Sequence, residues 1–182
     1  MAAELQGLVD SIVASTAGLP DPQRVASWSP PLSGDIPIEI HEDGSWAHDG
    51  QLIKREGLVR LFASLLRRED DGEYYLVTPA EKWRITVARH PLVAIDCDRS
   101  GNNGDGTWYV LLNTGGRCHL GEEFCLHTEG NDLKPWVSLP NGLSAQLTRA
   151  AWYRLIDAST VFGGRAQIVS GGETIDLGPV EA

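Results

Sequence analysis

Cysteine is scarce in this 182-residue chain: Cys97, Cys118 and Cys125 are too few, and odd in number, to form the disulfide framework of a small secreted fold. They read as free thiols in a reducing compartment. Basic residues are also short, 15 Lys and Arg against 25 Asp and Glu, for a formal net charge of −10. That balance repels a phosphate backbone at long range and argues against non-specific nucleic-acid binding through counterion release. Long apolar runs are missing, none approaching the roughly 20 residues that span a bilayer. The first 20 residues lack a basic leading segment, and Glu4 and Asp10 interrupt what would be the apolar stretch of a signal peptide. The expected setting is therefore cytoplasmic, without membrane.

Familiar catalytic signatures are missing as well. There is no phosphate-loop lysine and no dinucleotide fingerprint. None of the five histidines stands in a local nucleophile motif. No cofactor is expected and the chain reads as non-enzymatic; an enzyme would need an unfamiliar site built on a carboxylate general base. What is present is ordinary globular material, 42% hydrophobic and 22% charged, which excludes general disorder.

Leu5, Leu8, Val9, Ile12 and Val13 recur at helical spacing before Gly18 and Pro20, so an amphipathic helix opens the chain. It lacks the basic residues of a membrane-surface helix and is expected to dock on its own domain. Residues 20–37, with Trp28-Ser29-Pro30-Pro31, favour an extended linker over helix or central strand. Ile36, Ile38 and Ile40 then alternate, and Asp43-Gly44 signals a hairpin before Trp46. Residues 53–68 predict a helix with Leu58, Val59, Leu61, Phe62, Leu65 and Leu66 on one face, ended by Asp71-Gly72. Short strands follow at 74–77, 83–87 and 92–95, then a polar loop over 98–106 and a strand at 107–112. Residues 137–139 lead through Asn141-Gly142 into a helix capped by Thr148 and running to about Ser159, with strands again at 166–169 and 174–177.

The segment from Arg55 to Phe62 (Arg55-Glu56-Gly57-Leu58-Val59-Arg60-Leu61-Phe62) can be laid over Arg149-Ala150-Ala151-Trp152-Tyr153-Arg154-Leu155-Ile156, so that both arginines and the apolar stripe coincide. Each copy follows an Asp-Gly or Asn-Gly turn. A duplicated hairpin-plus-helix unit is expected, giving an α+β fold. The chain divides into an N-terminal helix and Pro-rich linker (1–34), a first α+β unit (35–90) and a second (91–182). A cleft between repeats is a natural place for a ligand.

Asp43-Gly44-Ser45-Trp46, the run from Ile53-Lys54 through Phe62, and Leu76-Val77-Thr78-Pro79-Ala80-Glu81-Lys82 resemble the bacterial domain of unknown function 1285 family. Looser matches follow at Pro135-Trp136-Val137, Gly142-Leu143-Ser144-Ala145, Arg149, Ser170-Gly171-Gly172 and Leu177-Gly178, so the resemblance runs from about Asp35 to Gly178. It implies a duplicated α+β core whose second half is similar to a pleckstrin-homology-like barrel, no established enzyme activity, and a role in signal transduction with a nucleotide-like or nucleic-acid-like ligand held between the halves. The sequence departs from the family pattern at Arg89-His90-Pro91-Leu92, where an acidic residue and a phenylalanine are typical, and at Thr174-Ile175, where aromatic residues are.

Six residues are candidates for a ligand site: Arg55, Arg149, Thr78, Glu81, Lys82 and Trp46. Arg55 and Arg149 stand near helix starts, where the macrodipole disfavours a cation, so each needs a partner. That partner is either a carboxylate such as Glu81 in a buried ion pair, or the phosphate or carboxylate of a ligand gripped by the guanidinium fork. Thr78, Glu81 and Lys82 occupy a break between strands, where binding residues are often found. Trp46 reads first as core and second as a platform for a base. Asp96, Asp98, Ser100 and Gly101 partly fit a calcium loop, but Thr107 stands where a bidentate glutamate belongs. Cys118, His119, Cys125 and His127 supply zinc donors without a paired short spacing, so no metal is expected. A protein partner docked on a sheet edge or on the terminal helix is the alternative to a small ligand. The oligomeric state is left open.

Overall fold

The computed structural model describes residues 19–101, 106–121, 125–128 and 134–180; the expected helix over residues 5–13 lies outside them. The described residues through Pro91, together with Asn141–Leu143, make one compact unit, and Leu92–Pro140 with the residues from Ser144 onward make the other. Among the described residues no helix is long and apolar enough to cross a membrane.

The first unit opens with α1 (Pro22–Ser27), where an extended linker was expected. Two local features favour the helix: Pro22 stands at its first position, and the Asp21 side chain accepts from the Gln23 N–H at 2.8 Å. Val25 then packs against Tyr75, Val77 and Trp28. Strands β1 (Leu32–Ile40), β2 (Trp46–His48), β3 (Gln51–Leu52), β4 (Leu66–Arg68), β5 (Tyr74–Val77) and β6 (Lys82–Val87) form one sheet in the order β3-β2-β1-β6-β5-β4. The central pair, β1 and β6, is parallel; the other neighbours are antiparallel. Alternation in β1 buries Ile38 and Ile40 and leaves Glu39 outside.

Helix α2 (Glu56–Ser64) is shorter than the apolar pattern indicated. Its last turn tightens, with the Leu65 N–H bonded to the Phe62 carbonyl, and Leu66 leaves to pair with Leu76 across β4 and β5. A buried strand and a helix face both demand apolar residues, so the pattern of Leu65 and Leu66 does not distinguish them. Asp71-Gly72 accordingly turns the β4–β5 hairpin instead of ending the helix. Gly72 takes a φ of 85°, and Asp71 Oδ1 accepts from the Glu73 N–H at 2.9 Å.

The second unit holds β7 (Leu92–Ser100), β8 (Thr107–Leu112), β9 (Arg117–His119), β10 (Leu126–His127), β11 (Trp136–Ser138) and β12 (Ser144–Leu147), in the order β10-β11-β12-β7-β8-β9. Strand β7 runs through Ser100, so the start of the expected loop is strand. Helix α3 (Arg149–Asp157) follows, capped as expected by Thr148, whose Oγ1 accepts from the Ala151 N–H at 3.2 Å. It lies on β7 and buries Ala151 and Leu155. Strands β13 (Thr160–Phe162), β14 (Arg165–Ser170) and β15 (Glu173–Pro179) make a separate antiparallel sheet.

Counted along the chain, both six-stranded sheets have the order third, second, first, sixth, fifth, fourth, with the first and sixth strands parallel. In each unit a helix follows a hairpin, α2 after β2 and β3, α3 after β11 and β12. One of the two sheets curves into a half-barrel. The fold is α+β with two related units.

Candidate functional site

Arg55 is the N-cap of α2 and makes no side-chain capping bond. It is exposed and has no ionic partner among the described residues. Glu81, its candidate partner, instead accepts from Trp83 Nε1 at 3.2 Å. In the second unit Arg149 is the first residue of α3, also exposed, with Nε donating to the Tyr153 hydroxyl at 3.1 Å and its guanidinium 5.3 Å from that ring. Both arginines therefore stand at the positive end of a helix with no carboxylate to neutralise them among the described residues.

Thr78, Glu81 and Lys82 serve the fold. Thr78 is buried, and its Oγ1 accepts from the N–H groups of Ala80 and Glu81 at 3.3 and 3.0 Å, closing the turn between β5 and β6. Lys82 Nζ donates to Glu69 Oε2 at 2.6 Å and lies 4.8 Å from the Tyr75 ring centroid. Glu69 is also bonded by Arg67, whose Nη1 donates to the carbonyls of Val25 and Trp28 at 3.1 and 2.8 Å, fastening α1 to the sheet. Burial works against the Glu69 charge, but the hydrogen bonds from Lys82 and Arg67 outweigh it and hold its carboxyl below the usual range. Beside it, the Tyr75 hydroxyl donates to Asp71 at 2.7 Å; that bond and burial push the Tyr75 pKa up to about 12.

Trp46 is core, as its first reading held. It is 2% exposed, and its ring lies 6.2 Å from that of Phe62. Its Nε1 has no hydrogen-bond partner among the described residues.

The metal candidates are otherwise engaged. Asp96 pairs with Arg154 at 2.8 Å and Asp98 with Arg117 at 3.3 Å, both from strand β7; residues 102–105 of the proposed calcium loop lie outside the described residues. Cys118 and His119 are consecutive on β9, so they point to opposite faces. His127 Nε2 is 2.7 Å from Ser138 Oγ, and its ring stacks on Trp136 at 3.7 Å. Burial raises the Cys118 thiol, and takes Cys97 to about 12.

A Ser-His-Glu alignment occurs at the β1–β2 turn, which sequence reasoning did not assemble. Ser45 Oγ is 3.0 Å from His41 Nδ1, and His41 Nε2 is 3.9 Å from Glu39 Oε2. The second distance is too long for the hydrogen bond that orients a catalytic imidazole. Ser45 is also tied to the turn, its N–H donating to Asp43 Oδ1 at 2.9 Å. The arrangement closes a hairpin.

The first unit also contains an open depression of about 620 Å³ lined by β1, the start of β5 and β6. Between the paired positions Asp35↔Arg84 and Glu39↔Thr86, β1 has three residues and β6 has only Ile85, so the two strands part. Arg84 Nε and Nη2 bond the Asp35 carboxylate at 2.6 and 3.1 Å at its rim.

With this geometry in hand, known proteins place the chain. A crystal structure of a DUF1285 family protein from Silicibacter pomeroyi is 33% identical, with 95% of each chain covered and a TM-score of 0.81. The chain belongs to the DUF1285 family. Residues 23–89 match the model of the DUF1285 N-terminal domain, a domain of unknown function. A second DUF1285 structure, from Shewanella baltica, is 27% identical over 67% of this chain and 91% of its own, with a TM-score of 0.55. No curated protein matches.

In this DUF1285 chain the sequence located the two helix-start arginines but missed the depression. A signal was there: Pro37 interrupts an alternating strand pattern, and a proline inside a sheet marks a bulge or an edge because it lacks the N–H the ladder needs.

Proposed function

We propose that this DUF1285 protein is a non-enzymatic ligand-binding module for an anionic, nucleotide-like ligand, of the kind used in signal transduction. The observation that carries the reading is the state of Arg55 and Arg149. Arg60, Arg67, Arg84, Arg117, Arg154 and Arg165 each pair with a carboxylate. Among the described residues Arg55 and Arg149 do not; Arg24, Arg68, Arg89 and Arg99 also have no carboxylate partner there, but Arg55 and Arg149 stand at helix starts, where the dipole makes a lone cation unfavourable. A phosphate bound there satisfies the guanidinium fork and, at α2, where no side chain caps the helix, the N–H groups of the first turn as well. The 3.9 Å separation in the Ser45, His41 and Glu39 alignment supports the non-enzymatic part of the reading.

Calorimetric titration with mono-, di- and cyclic nucleotides tests it. Saturable binding is expected that weakens at least about tenfold in Arg55→Ala, the loss of one charge-assisted bond, and is unchanged in Arg60→Ala. Absence of binding by every nucleotide overturns the proposal.

A second reading, a protein-docking module, is favoured by one observation. Val161 and Phe162, 63% and 77% exposed, stand on the edge strand β13. A stoichiometric protein partner lost on Phe162→Ser would select it.

A further inference from the structure

We infer that the open edge of β13, in the second unit, is a strand-addition site for an extended peptide that is apolar where it meets Val161 and Phe162 and basic toward its C-terminal end. The inference deepens the protein-docking reading of β13 given above and rests on it. It is independent of the anionic ligand proposed for the helix starts.

The backbone is arranged for a further strand. β13 is an edge of its three-stranded sheet and joins β14 through the two-residue turn Gly163-Gly164, with φ of 58° and 77°. In such a hairpin the pair flanking the turn, Phe162 and Arg165, exchanges both backbone bonds. The next pair does not, so the N–H and carbonyl of Val161 point to the open edge. Val161 lies opposite Ala166 and Phe162 opposite Arg165, and the two side chains therefore stand on opposite faces. Both are exposed, 63% and 77%, so neither face is covered there. Thr160-Val161-Phe162 also carries none of the devices that protect an edge: no charge, no proline and no bulge.

Charge decides which segment fits. Helix α3 ends at Asp157, three residues before Thr160. The Asp157 carboxylate is exposed and has no ionic partner among the described residues, at the helix end where the dipole already leaves partial negative charge. Arg154, in the same last turn, is taken by Asp96, and Arg165 on β14 by Asp176. The entry to β13 thus keeps an uncompensated negative charge, in a chain of net charge −10. A second copy would bring the same charge, and a three-residue strand buries too little to hold a dimer against it. A strand added antiparallel to β13 runs its C-terminal end toward Asp157, which is where its basic residues belong. Its main-chain bonds go to Val161, and an apolar side chain opposite Phe162 covers that ring.

The probe is the blocked peptide Tyr-Val-Thr-Lys-Lys, whose first three residues stand opposite Phe162, Val161 and Thr160. The full chain is titrated with it in about 0.15 M salt to screen diffuse attraction, and binding is followed by the amide signals of Val161 and Gly163. Saturable binding is expected. It should weaken about fivefold in Phe162→Ser, which removes the cross-strand aromatic contact, and vanish in Val161→Pro, which removes the outward N–H and none that β14 uses. Two control peptides test the same points on the unaltered chain: Tyr-Pro-Thr-Lys-Lys lacks the paired donor, Tyr-Val-Thr-Glu-Glu reverses the charge, and neither should saturate. No saturation by the first peptide, or equal binding by either control, overturns the inference. So does concentration-dependent self-association lost on Phe162→Ser, which assigns the edge to a second copy. A protein partner lost on Phe162→Ser but retained by Val161→Pro leaves the docking reading standing and rejects strand addition.

Discussion

Glu69 accepts from Lys82 and Arg67, and Arg67 in turn holds the carbonyls that end α1. Removing the carboxylate leaves two largely covered cations unpaired, so Glu69→Ala is expected to cost about 2–3 kcal/mol. Urea denaturation checks this. The same group sets a pH dependence. Because the fold holds Glu69 below its ordinary value, its contribution is complete above the usual carboxylate range and is lost as pH falls through the folded-state value. Acid unfolding of Glu69→Gln should therefore be less steep than that of the parent chain. This network was not legible in the sequence. Arg67 lies on β4, Glu69 just past its end and Lys82 at the start of β6, a strand that the sequence reading began one residue later.

At the scale of elements, α2 and α3 begin differently. Thr148 caps α3 with its hydroxyl, whereas the same position of α2 is Arg55, which caps nothing. Arg55→Ser supplies the missing acceptor and is expected to stabilise the unliganded protein by about 1 kcal/mol. It should also abolish the proposed anion binding, a trade of function for stability measurable by thermal unfolding with and without ligand. The C-terminal sheet is tied to β8 and the residue after β9 by a buried hydroxyl: Ser170 accepts from the Trp108 N–H at 2.9 Å and donates to the Leu120 carbonyl at 2.6 Å. Ser170→Ala leaves both groups unpaired and should cost about 1–3 kcal/mol, again read by urea denaturation. Elements with clear punctuation were legible: the Asp43-Gly44 hairpin, the helix capped by Thr148, and the strands around residues 74–77, 107–112 and 166–169. Those whose residues suit two structures were not. Leu66 fits a helix face or a buried strand, and residues 22–27 looked like linker because two prolines follow them closely.

At the scale of the whole molecule, the duplication suggested by two similar helices is carried more fully by the sheets, whose six strands follow one order around a parallel pair. Strand order cannot be read from local periodicity, because parallel pairing of the first and sixth strands is a long-range choice. The central functional claim rests on the feature the two units share, an exposed arginine at a helix start with no carboxylate partner among the described residues. Thermal unfolding against a nucleotide panel, with Arg55→Ala and Arg149→Ala, tests it directly. At about 100 times its dissociation constant a ligand should add roughly 2.7 kcal/mol to the parent, and the shift should shrink in each variant while unliganded melting stays near that of the parent. No shift with any nucleotide, or a shift that survives both substitutions, would contradict the account.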